Sequence, residues 1–306
     1  MKLSFVIPCY RSESTIGKVV EEIVGVVATD KYEYEIILVN DCSPDNVWDV
    51  IKEIAKSNDK VKGVCLARNF GQHNALMAGY REASGDYIIS LDDDGQTPID
   101  EFEKLMIEFN KGYDVVYAYY QEHTKFYREL GTLFADKMAE QLIGMPKGNR
   151  GSSFFAMKKF VKDEMITYSN AYPYLAGLVY RTTKNVSCIP LSRRSRIDGE
   201  SGYSLKKLIK LWFNGFSAFS AKPLEFSVYV GMVFSLLGFI AGVIVVIRKI
   251  VGATTVEGWT TLVSLNLIIG GLILMVLGLI GEYIGRIYIS INNAPQYVVK
   301  EKINVD

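Results

Sequence analysis

Two long stretches of the chain contain no charged residue, and they limit its fold more than any other feature. They run over residues 226–247 and residues 258–281. At about 1.5 Å per residue, a helix of either length crosses a bilayer core of roughly 30 Å. A buried core helix is the alternative for one such stretch, but two in succession favour membrane spans. Because the connection, residues 248–257, is short, we predict a transmembrane hairpin with helices at about 226–247 and 260–282.

The charges beside this hairpin bear on its orientation. Two spans return the chain to the side of the membrane on which it entered. Cytoplasmic flanks carry an excess of lysine and arginine, and here the evidence is mixed because Arg248 and Lys249 lie in the connection. The apolar run at residues 3–7 is too short for a signal peptide. We therefore predict that both termini lie in the cytoplasm, beside flanks that carry Lys206, Lys207, Lys210, Lys222, Arg286, Lys300 and Lys302.

The residues before position 120 alternate between apolar runs typical of strands and stretches typical of helices. This alternation predicts a mainly parallel α/β sheet with helices on both faces. The predicted strands are residues 3–7, 35–39, 61–66, 86–91 and 114–117. The predicted helices are residues 14–27, 47–55, 74–83 and 98–110. Ligands of such sheets bind beyond the carboxyl ends of the strands, which predicts one crevice lined by residues 10–13, 40–41, 68–69 and 92–96.

Three consecutive carboxylates follow the predicted strand at residues 86–91. In an extended register Asp92 and Asp94 point to one side and Asp93 to the other. Two oxygen ligands at the mouth of a parallel sheet suit a divalent cation that also holds phosphate oxygens. The alternative is an acidic turn that caps the helix beginning near Pro98.

Composition excludes other classes of protein. The 34 basic residues equal the 34 acidic ones, so no bulk attraction to nucleic acid is expected. A glycine-rich phosphate loop is absent from the sequence, so the phosphates of a bound nucleotide would be neutralised by metal. The cysteines, which show no metal-type spacing, are predicted to be buried thiols in a reducing compartment: Cys9, Cys42, Cys65 and Cys188.

Four motifs after the predicted strands resemble those of family 2 glycosyltransferases of the GT-A fold. They are VIPCY at 6–10, VNDCSPD at 39–45, RNFGQH at 68–73 and DDDGQTP at 92–98. A fifth motif, GEYIGRIY at 281–288, follows the predicted spans. It narrows the resemblance to membrane-anchored polyprenyl-phosphate glycosyltransferases, such as bactoprenol glucosyltransferases, aminoarabinose-type transferases and dolichyl-phosphate mannose synthases.

The resemblance implies roles for the residues around the nucleotide. Asp41 would hydrogen-bond the base, and Arg68 would close the donor pocket. The other implied lining residues are Pro8, Tyr10 and Glu13. Taken singly, Asp41 is also explained as a turn residue and Arg68 as a surface ion pair.

The acidic motif is implied to hold metal and diphosphate through Asp92, Asp94 and Gln96, with Asp93 assigned to the donor site. The implied cofactor is Mg²⁺ or Mn²⁺. Such a cation would neutralise the charge that grows on the leaving nucleoside diphosphate. A polyprenyl phosphate is already anionic, so direct displacement with inversion is expected, without a covalent enzyme intermediate.

The acceptor site is predicted from basic residues on either side of residue 150. A phosphate headgroup at a membrane surface needs arginine forks, and the resemblance places Arg128, also assigned a catalytic role, and Arg196 at that position. Ser201 and Tyr203 are assigned to the acceptor site as well. The alternative for the basic runs is general attraction to anionic lipid.

The predicted domains follow from these assignments. Residues 1–203 form the catalytic domain, 204–224 a juxtamembrane segment, 225–285 the two spans and 286–306 a cytoplasmic tail. Apolar residues at helical spacing over 204–216, with lysines opposite, predict an interfacial helix. A core helix is the alternative.

The predicted activity is inverting transfer of a sugar, with UDP the favoured carrier, to a polyprenyl phosphate such as undecaprenyl phosphate. The product would serve cell-envelope glycan modification at a bacterial inner (plasma) membrane, in a multi-pass protein. One alternative is a processive polysaccharide synthase, which usually has more spans and a Q-x-x-R-W motif. Others are a lipid-linked sugar transporter and a non-enzymatic scaffold. The G-x-x-x-G spacings at 238–242 and 281–285 suit close helix packing, within one hairpin or between subunits of a homo-oligomer.

Overall fold

Two compact units make up the chain. The computed structural model describes residues 1–28, 31–120, 140, 145–146, 152–191, 222–252, 258–292 and 294–305. The first unit comprises Met1–Ala218 together with Asn293–Asp306, and the second comprises Phe219–Asn292. The predicted interfacial helix at 204–216 lies outside the described residues.

An eight-stranded sheet forms the centre of the first unit. Its strands are β1 (Lys2–Cys9), β2 (Glu33–Asn40), β3 (Val61–Leu66), β4 (Tyr87–Ser90), β5 (Val115–Tyr120), β6 (Phe155–Lys158), β7 (Val186–Leu191) and β8 (Val299–Ile303). Across the sheet their order is β7-β5-β6-β4-β1-β2-β3-β8. Parallel pairs are β1–β2, β1–β4, β2–β3 and β5–β7, whereas β6 is antiparallel to β4 and β5, and β8 to β3. The predicted fold class, a mainly parallel α/β sheet, is confirmed.

Helices cover both faces of this sheet. They are α1 (Ile16–Val27), α2 (Val47–Ser57), α3 (Gln72–Glu82), α4 (Phe102–Asn110), α5 (Lys159–Met165) and α6 (Leu175–Thr182). Side chains of a strand alternate between faces. Phe5 therefore joins a core with α1, α2 and α4, while Val6 faces α3. There Gly79 allows close approach, because an added Cβ would lie 2.3 Å from Val6 Cγ1.

The elements before residue 120 agree with the predicted alternation, with small shifts of their ends. The predicted helix at 98–110 begins as a 3₁₀ turn, Ile99–Glu101, and continues as α4. Cys9 and Cys65 are buried as predicted, whereas Cys42 is exposed with φ +49°. The prediction of a buried thiol at Cys42 was wrong, because this residue lies in the turn beyond β2 and not inside the strand.

The segment predicted as a tail, 286–306, contributes to the sheet. Within it, the last helix continues to Ile291 and Val299–Ile303 forms β8, in register with β3 from Leu66↔Val299 to Gly63↔Ile303. The sequence VKEKI has three consecutive charged residues and no apolar run. Charged residues are typical of edge strands, and hydrophobic patterning alone did not identify this one.

The second unit contains two long helices, α7 (Lys222–Ile250) and α8 (Trp259–Ile291). The first extends past its uncharged stretch at both ends, and the second extends past its stretch at the carboxyl end, where it includes Glu282 and Arg286. Among the described residues, one stretch is long and apolar enough to cross a membrane: Ile268–Ile289 in α8, with mean hydropathy 2.1. In α7 the corresponding apolar stretch is shorter, Ser227–Ile240.

Candidate active site

The turns that follow β1, β2, β3 and β4 meet at one edge of the sheet. Tyr10 N donates to Asp93 Oδ2 at 2.9 Å, which joins the β1 turn to the β4 turn. Arg11 N donates to Ser43 Oγ at 2.7 Å, which joins the β1 turn to the β2 turn. The turn after β3 is joined to the β2 turn, because Asn69 Nδ2 donates to the Asp41 carbonyl at 3.2 Å. The structure therefore brings the four predicted clusters together.

Asp92 is held from two sides. Its Oδ1 accepts a hydrogen bond from Gln72 Nε2 at 2.9 Å, and its Oδ2 accepts one from the hydroxyl of Ser153. Gln72 begins α3, and Ser153 lies just before β6. Both carboxylate oxygens thus accept hydrogen bonds from neutral donors, Gln72 and Ser153, and these bonds orient the side chain.

Asp94 and Gln96 lie in the turn that follows. Gln96 N donates to Asp94 Oδ1 at 3.0 Å, the local bond of an Asx turn. Between them Gly95 has φ +71°, a conformation that is disfavoured for residues with a Cβ. The turn therefore holds the second carboxylate and the predicted amide ligand within one local structure.

Asp93 points toward β1, whereas Asp92 bonds to the start of α3 and to the segment before β6. Besides the Tyr10 amide bond, Thr15 Oγ1 donates to the Asp93 carbonyl at 2.6 Å. Burial raises the pKa of Asp93 to about 6, although the Tyr10 amide opposes the shift. Asp93 thus braces the β1–α1 turn, and direct contact with a donor stays a prediction.

Asp41 anchors the turn after β3. It is 3% exposed, and its Oδ1 and Oδ2 accept the amides of Phe70 at 2.7 Å and Gly71 at 2.8 Å. Burial raises the pKa of Asp41, and the two amides oppose this shift. Gly71 has φ +89°, which favours glycine at this position. The predicted contact of Asp41 with a nucleotide base stays a prediction.

The remaining donor-site residues differ in their surroundings. Pro8 is buried within β1 opposite Val39. Glu13 Oε2 accepts Asn46 N at 3.1 Å at the start of α2, so its carboxylate is used in a structural bond. Tyr10 is 44% exposed, and Arg68 is exposed with its guanidinium 4.6 Å from the centre of the Phe70 ring. The side chains of Tyr10 and Arg68 are thus exposed, and their contact with a nucleotide stays a prediction.

The donor set at this edge suits a divalent cation in its chemistry. Asp92, Asp94 and Gln96 supply carboxylate and amide oxygens, the donors that Mg²⁺ and Mn²⁺ prefer. Within the described ranges, no group of three or more His, Cys, Asp or Glu side chains is arranged to hold a metal by itself. Diphosphate oxygens would have to complete the coordination.

The predicted acceptor residues Arg128, Arg196, Ser201 and Tyr203 lie outside the described residues. Two residues that contact Asp92 were not predicted. Ser153 reaches Asp92 only because β6 inserts beside β4, a long-range pairing that local sequence does not reveal. Gln72 lies within the RNFGQH motif, and this position in the motif is the sequence feature that could have identified it as a site residue.

Two family models match the chain. Residues 4–164 match "Glycosyl transferase family 2", and residues 222–287 match "GtrB C-terminal hairpin". The chain is therefore a glycosyltransferase, and the resemblance inferred from its motifs is confirmed.

Relatives extend over nearly the whole chain. An uncharacterized glycosyltransferase, YkcC, of Bacillus subtilis is 32% identical over 100% of this chain and 95% of the relative. An undecaprenyl-phosphate 4-deoxy-4-formamido-L-arabinose transferase of Proteus mirabilis is 32% identical over 99% of this chain and 94% of the relative.

Solved structures share the fold. A Mycobacterium tuberculosis glucosyl-3-phosphoglycerate synthase, crystallised with Mn²⁺, UDP-glucose and phosphoglyceric acid, superposes with a TM-score of 0.52 at 17% identity. The match covers 71% of this chain and 78% of that one. The same enzyme was crystallised with Mg²⁺ and UDP, and that structure has a TM-score of 0.51. From its family model and its full-length relatives, the chain belongs to glycosyl transferase family 2.

Proposed function

We propose that this enzyme transfers a sugar from a UDP-sugar to a polyprenyl phosphate, with undecaprenyl phosphate as the acceptor. The observation that carries the proposal is the union, in one chain, of a family 2 domain and the GtrB C-terminal hairpin. Relatives aligned over 99% of the chain bear the name of undecaprenyl-phosphate transferases. UDP is the nucleotide in the superposable synthase structures, which supports a UDP-linked donor.

The acidic turn after β4 would bind the donor diphosphate through a cation. Asp92 and Asp94 would supply carboxylate oxygens and Gln96 an amide oxygen, while Gln72 and Ser153 keep Asp92 oriented. When bound, the cation supplies charge neutralisation for the departing nucleoside diphosphate. Tyr10, in the turn after β1, and Arg68, in the turn after β3, are exposed and would contact the nucleotide.

The acceptor needs little activation. An oxygen of the lipid phosphate attacks the anomeric carbon and forms the new carbon–oxygen bond. The bond from that carbon to the diphosphate oxygen breaks, and its electron pair leaves with UDP. The phosphate oxygen is already deprotonated at neutral pH, so no side chain has to remove a proton. In-line displacement inverts the anomeric centre.

The membrane would bring the enzyme and its lipid acceptor together. We propose that α7 and α8 span the inner membrane as a hairpin, with the first unit and both termini in the cytoplasm. The apolar stretch Ile268–Ile289 and the exposed apolar side chains of α7 support the proposal that these helices span a membrane. Arg128 and Arg196 would grip the lipid phosphate with charge-assisted hydrogen bonds.

The test is a product analysis with the full-length protein in lipid nanodiscs. It is incubated with Mn²⁺ and a panel of UDP- and GDP-sugars, with and without undecaprenyl phosphate. The proposal expects one UDP-sugar to yield a lipid carrying a single sugar, only when the lipid is present. A polymeric product would favour a processive synthase. Donor turnover at the same rate with and without undecaprenyl phosphate would exclude a polyprenyl-phosphate acceptor.

A further inference from the structure

The segment after the second long helix follows the edge of the sheet from one end to the other. This tail segment, residues 294–305, contains β8, which runs from Val299 opposite Leu66 to Ile303 opposite Gly63. Since β3 ends at Leu66, the tail segment begins at the end of the sheet where the parallel strands finish and where the acidic turn lies. An amide side chain fixes it at each end, Gln296 before β8 and Asn304 after it.

Gln296 is bonded to a loop of the first unit. The residue is 6% exposed, and its Nε2 donates to the carbonyl oxygens of Tyr168 at 3.2 Å and Asn170 at 3.0 Å. A primary amide has two N–H groups and satisfies both carbonyls at once. A carboxylate at this position has no donor and would repel them.

The same loop, residues 168–174, contacts the first turn of α3. Asn74, which is 8% exposed, donates from Nδ2 to the Ala171 carbonyl at 3.3 Å and to the Phe70 carbonyl at 2.8 Å. The ring of Tyr174 lies edge-on to His73, with 5.9 Å between ring centres. The loop is thus bonded to the tail segment on one side and to α3 on the other.

The start of α3 also orients both acidic anchors of the candidate site. The amides of Phe70 and Gly71 hold the Asp41 carboxylate, and Gln72 holds Asp92. These donors and Asn74 lie within the five consecutive residues 70–74. A displacement of the 168–174 loop would therefore act on Asp41 and Asp92 through a short covalent segment.

We infer that Gln296 is a positioning residue for the donor site. By bracing the 168–174 loop, it fixes residues 70–74 and through them Asp41 and Asp92. The residues that follow the hairpin thus have two roles: they pair with β3 at the side of the sheet, and they hold the donor-site residues in position. The claim that this site binds a UDP-sugar rests on the proposed function. The positioning role of Gln296 does not depend on it.

Asn304 offers a matched control. Its Nδ2 donates to the carbonyl oxygens of Ala55 at 2.7 Å and Val61 at 2.9 Å. Like Gln296, it therefore makes two hydrogen bonds to backbone carbonyls through one amide nitrogen. These carbonyls lie at the end of α2 and the start of β3, at the opposite edge of the sheet from the acidic turn. Gln296→Glu and Asn304→Asp therefore remove equivalent tail contacts, only one of which is near the site.

The experiment compares the full-length protein with these variants in detergent. Hydrogen exchange is measured on peptides covering residues 69–75, and UDP binding is measured by calorimetry with Mn²⁺. Local couplings of this kind change equilibria by about three- to thirtyfold. We expect exchange at residues 70–71 to accelerate, and UDP affinity to fall, by a factor in that range for Gln296→Glu and not for Asn304→Asp. Gln296→Met, which lacks the charge, should show a smaller change in the same direction.

The outcomes separate the two claims. Exchange at 70–71 that is equal in the Gln296 and Asn304 variants would overturn the positioning role. If exchange responds to Gln296 while UDP affinity does not, Gln296 supports only the fold, and its role in the donor site is rejected. A wild-type protein that binds no UDP would reject the proposed donor, while the exchange comparison would still decide the positioning claim. If Gln296→Glu does not fold, the same measurements on Gln296→Met decide it.

Discussion

Gln72 Nε2 donates a hydrogen bond to Asp92 Oδ1 at 2.9 Å, so the first turn of α3 is tied to the acidic turn after β4. The hydroxyl of Ser153 occupies the other oxygen of the same carboxylate. Asp92 is therefore oriented before any ligand arrives. Such preorganisation lowers the cost of gathering like charges around a cation.

Removing these donors should weaken metal use more than it weakens folding. Residues that orient metal ligands typically contribute about 10- to 100-fold in metal affinity or activity, and we expect a loss in that range for Gln72→Met and Ser153→Ala. The measurement is activity against Mn²⁺ concentration. Ser152→Ala is the control, because Ser152 accepts only the nearby Phe154 amide among its described bonds. Equal metal dependence in all variants would remove Gln72 and Ser153 from the site.

Gly71→Ala should disturb the Asp41 anchor without any steric clash. No atom lies within 4 Å of an added Cβ, so the cost arises from φ +89° alone. With ψ +157°, this backbone conformation is essentially restricted to glycine, and another residue there costs about 1–3 kcal/mol. We therefore expect UDP affinity to fall as the turn relaxes. Gly25→Ala, in the interior of α1 and also unobstructed, should instead stabilise the protein by up to about 1 kcal/mol. Similar effects of the two variants would contradict the role of the turn.

Glu35 predicts a pH dependence of stability that is separate from catalysis. Burial by itself would raise its pKa, but hydrogen bonds from Ser4 and Ser84, together with the Lys62 ammonium, lower the pKa from 4.5 to about 2. When folding lowers the pKa of a carboxyl group, that group stabilises the protein fully at pH values above its pKa in the unfolded chain. The stabilisation decreases as the pH falls through its pKa in the folded protein. Glu35→Gln should therefore lower Tm near neutrality, and the difference from wild type should shrink between pH 4.5 and 2.

Thermal unfolding of the full-length protein across this pH range measures the effect of Glu35. Glu21→Gln, at an exposed position of α1, serves as the control. A constant difference between wild type and Glu35→Gln from pH 7 to pH 3 would show that the Glu35 network contributes nothing through its charge.

Arg128→Ala and Arg196→Ala should impair acceptor use specifically. Losing a charge-assisted hydrogen bond to phosphate costs about 1.5–3 kcal/mol, or about ten- to a hundredfold in acceptor efficiency. Lysine should rescue only in part, since it keeps the charge and loses the planar fork. Acceptor kinetics and calorimetric UDP binding are measured together. A matching loss of UDP affinity would assign these arginines to the donor site instead.

The sequence predicted the strands and helices before residue 120 because each strand is a short apolar run followed by polar turn residues. It also predicted that Asp92 and Asp93 point to different sides, and they do bond to different neighbours. Because β4 ends at Ser90, the same-side placement of Asp92 and Asp94 stays a prediction. The sequence did not predict β6 and β8, whose places in the sheet depend on partners far along the chain. The contacts of Ser153 and Gln296 follow from those pairings, so they required the three-dimensional structure.

Local motifs did not reveal which groups the side chains bond to. Glu13 and Asp41 lie at the predicted edge, yet their carboxylates bond to backbone amides of neighbouring turns. A sequence motif reports that a residue belongs to the site, but not whether it faces the ligand or supports the wall. Asp41 is buried whereas Glu13, Tyr10 and Arg68 are exposed, a difference that depends on how the turns pack.

The acidic turn is proposed to enable transfer of a sugar to a lipid phosphate. The most direct measurement is formation of lipid-linked sugar from UDP-sugar and undecaprenyl phosphate by wild type and by Asp94→Asn, with folding checked by thermal unfolding. The amide keeps the shape of Asp94 and removes the negative charge that would hold the cation. We expect product with the wild type, none with folded Asp94→Asn, and none with the wild type in excess chelator. Full product formation by Asp94→Asn, or by wild type in chelator, would contradict this proposal.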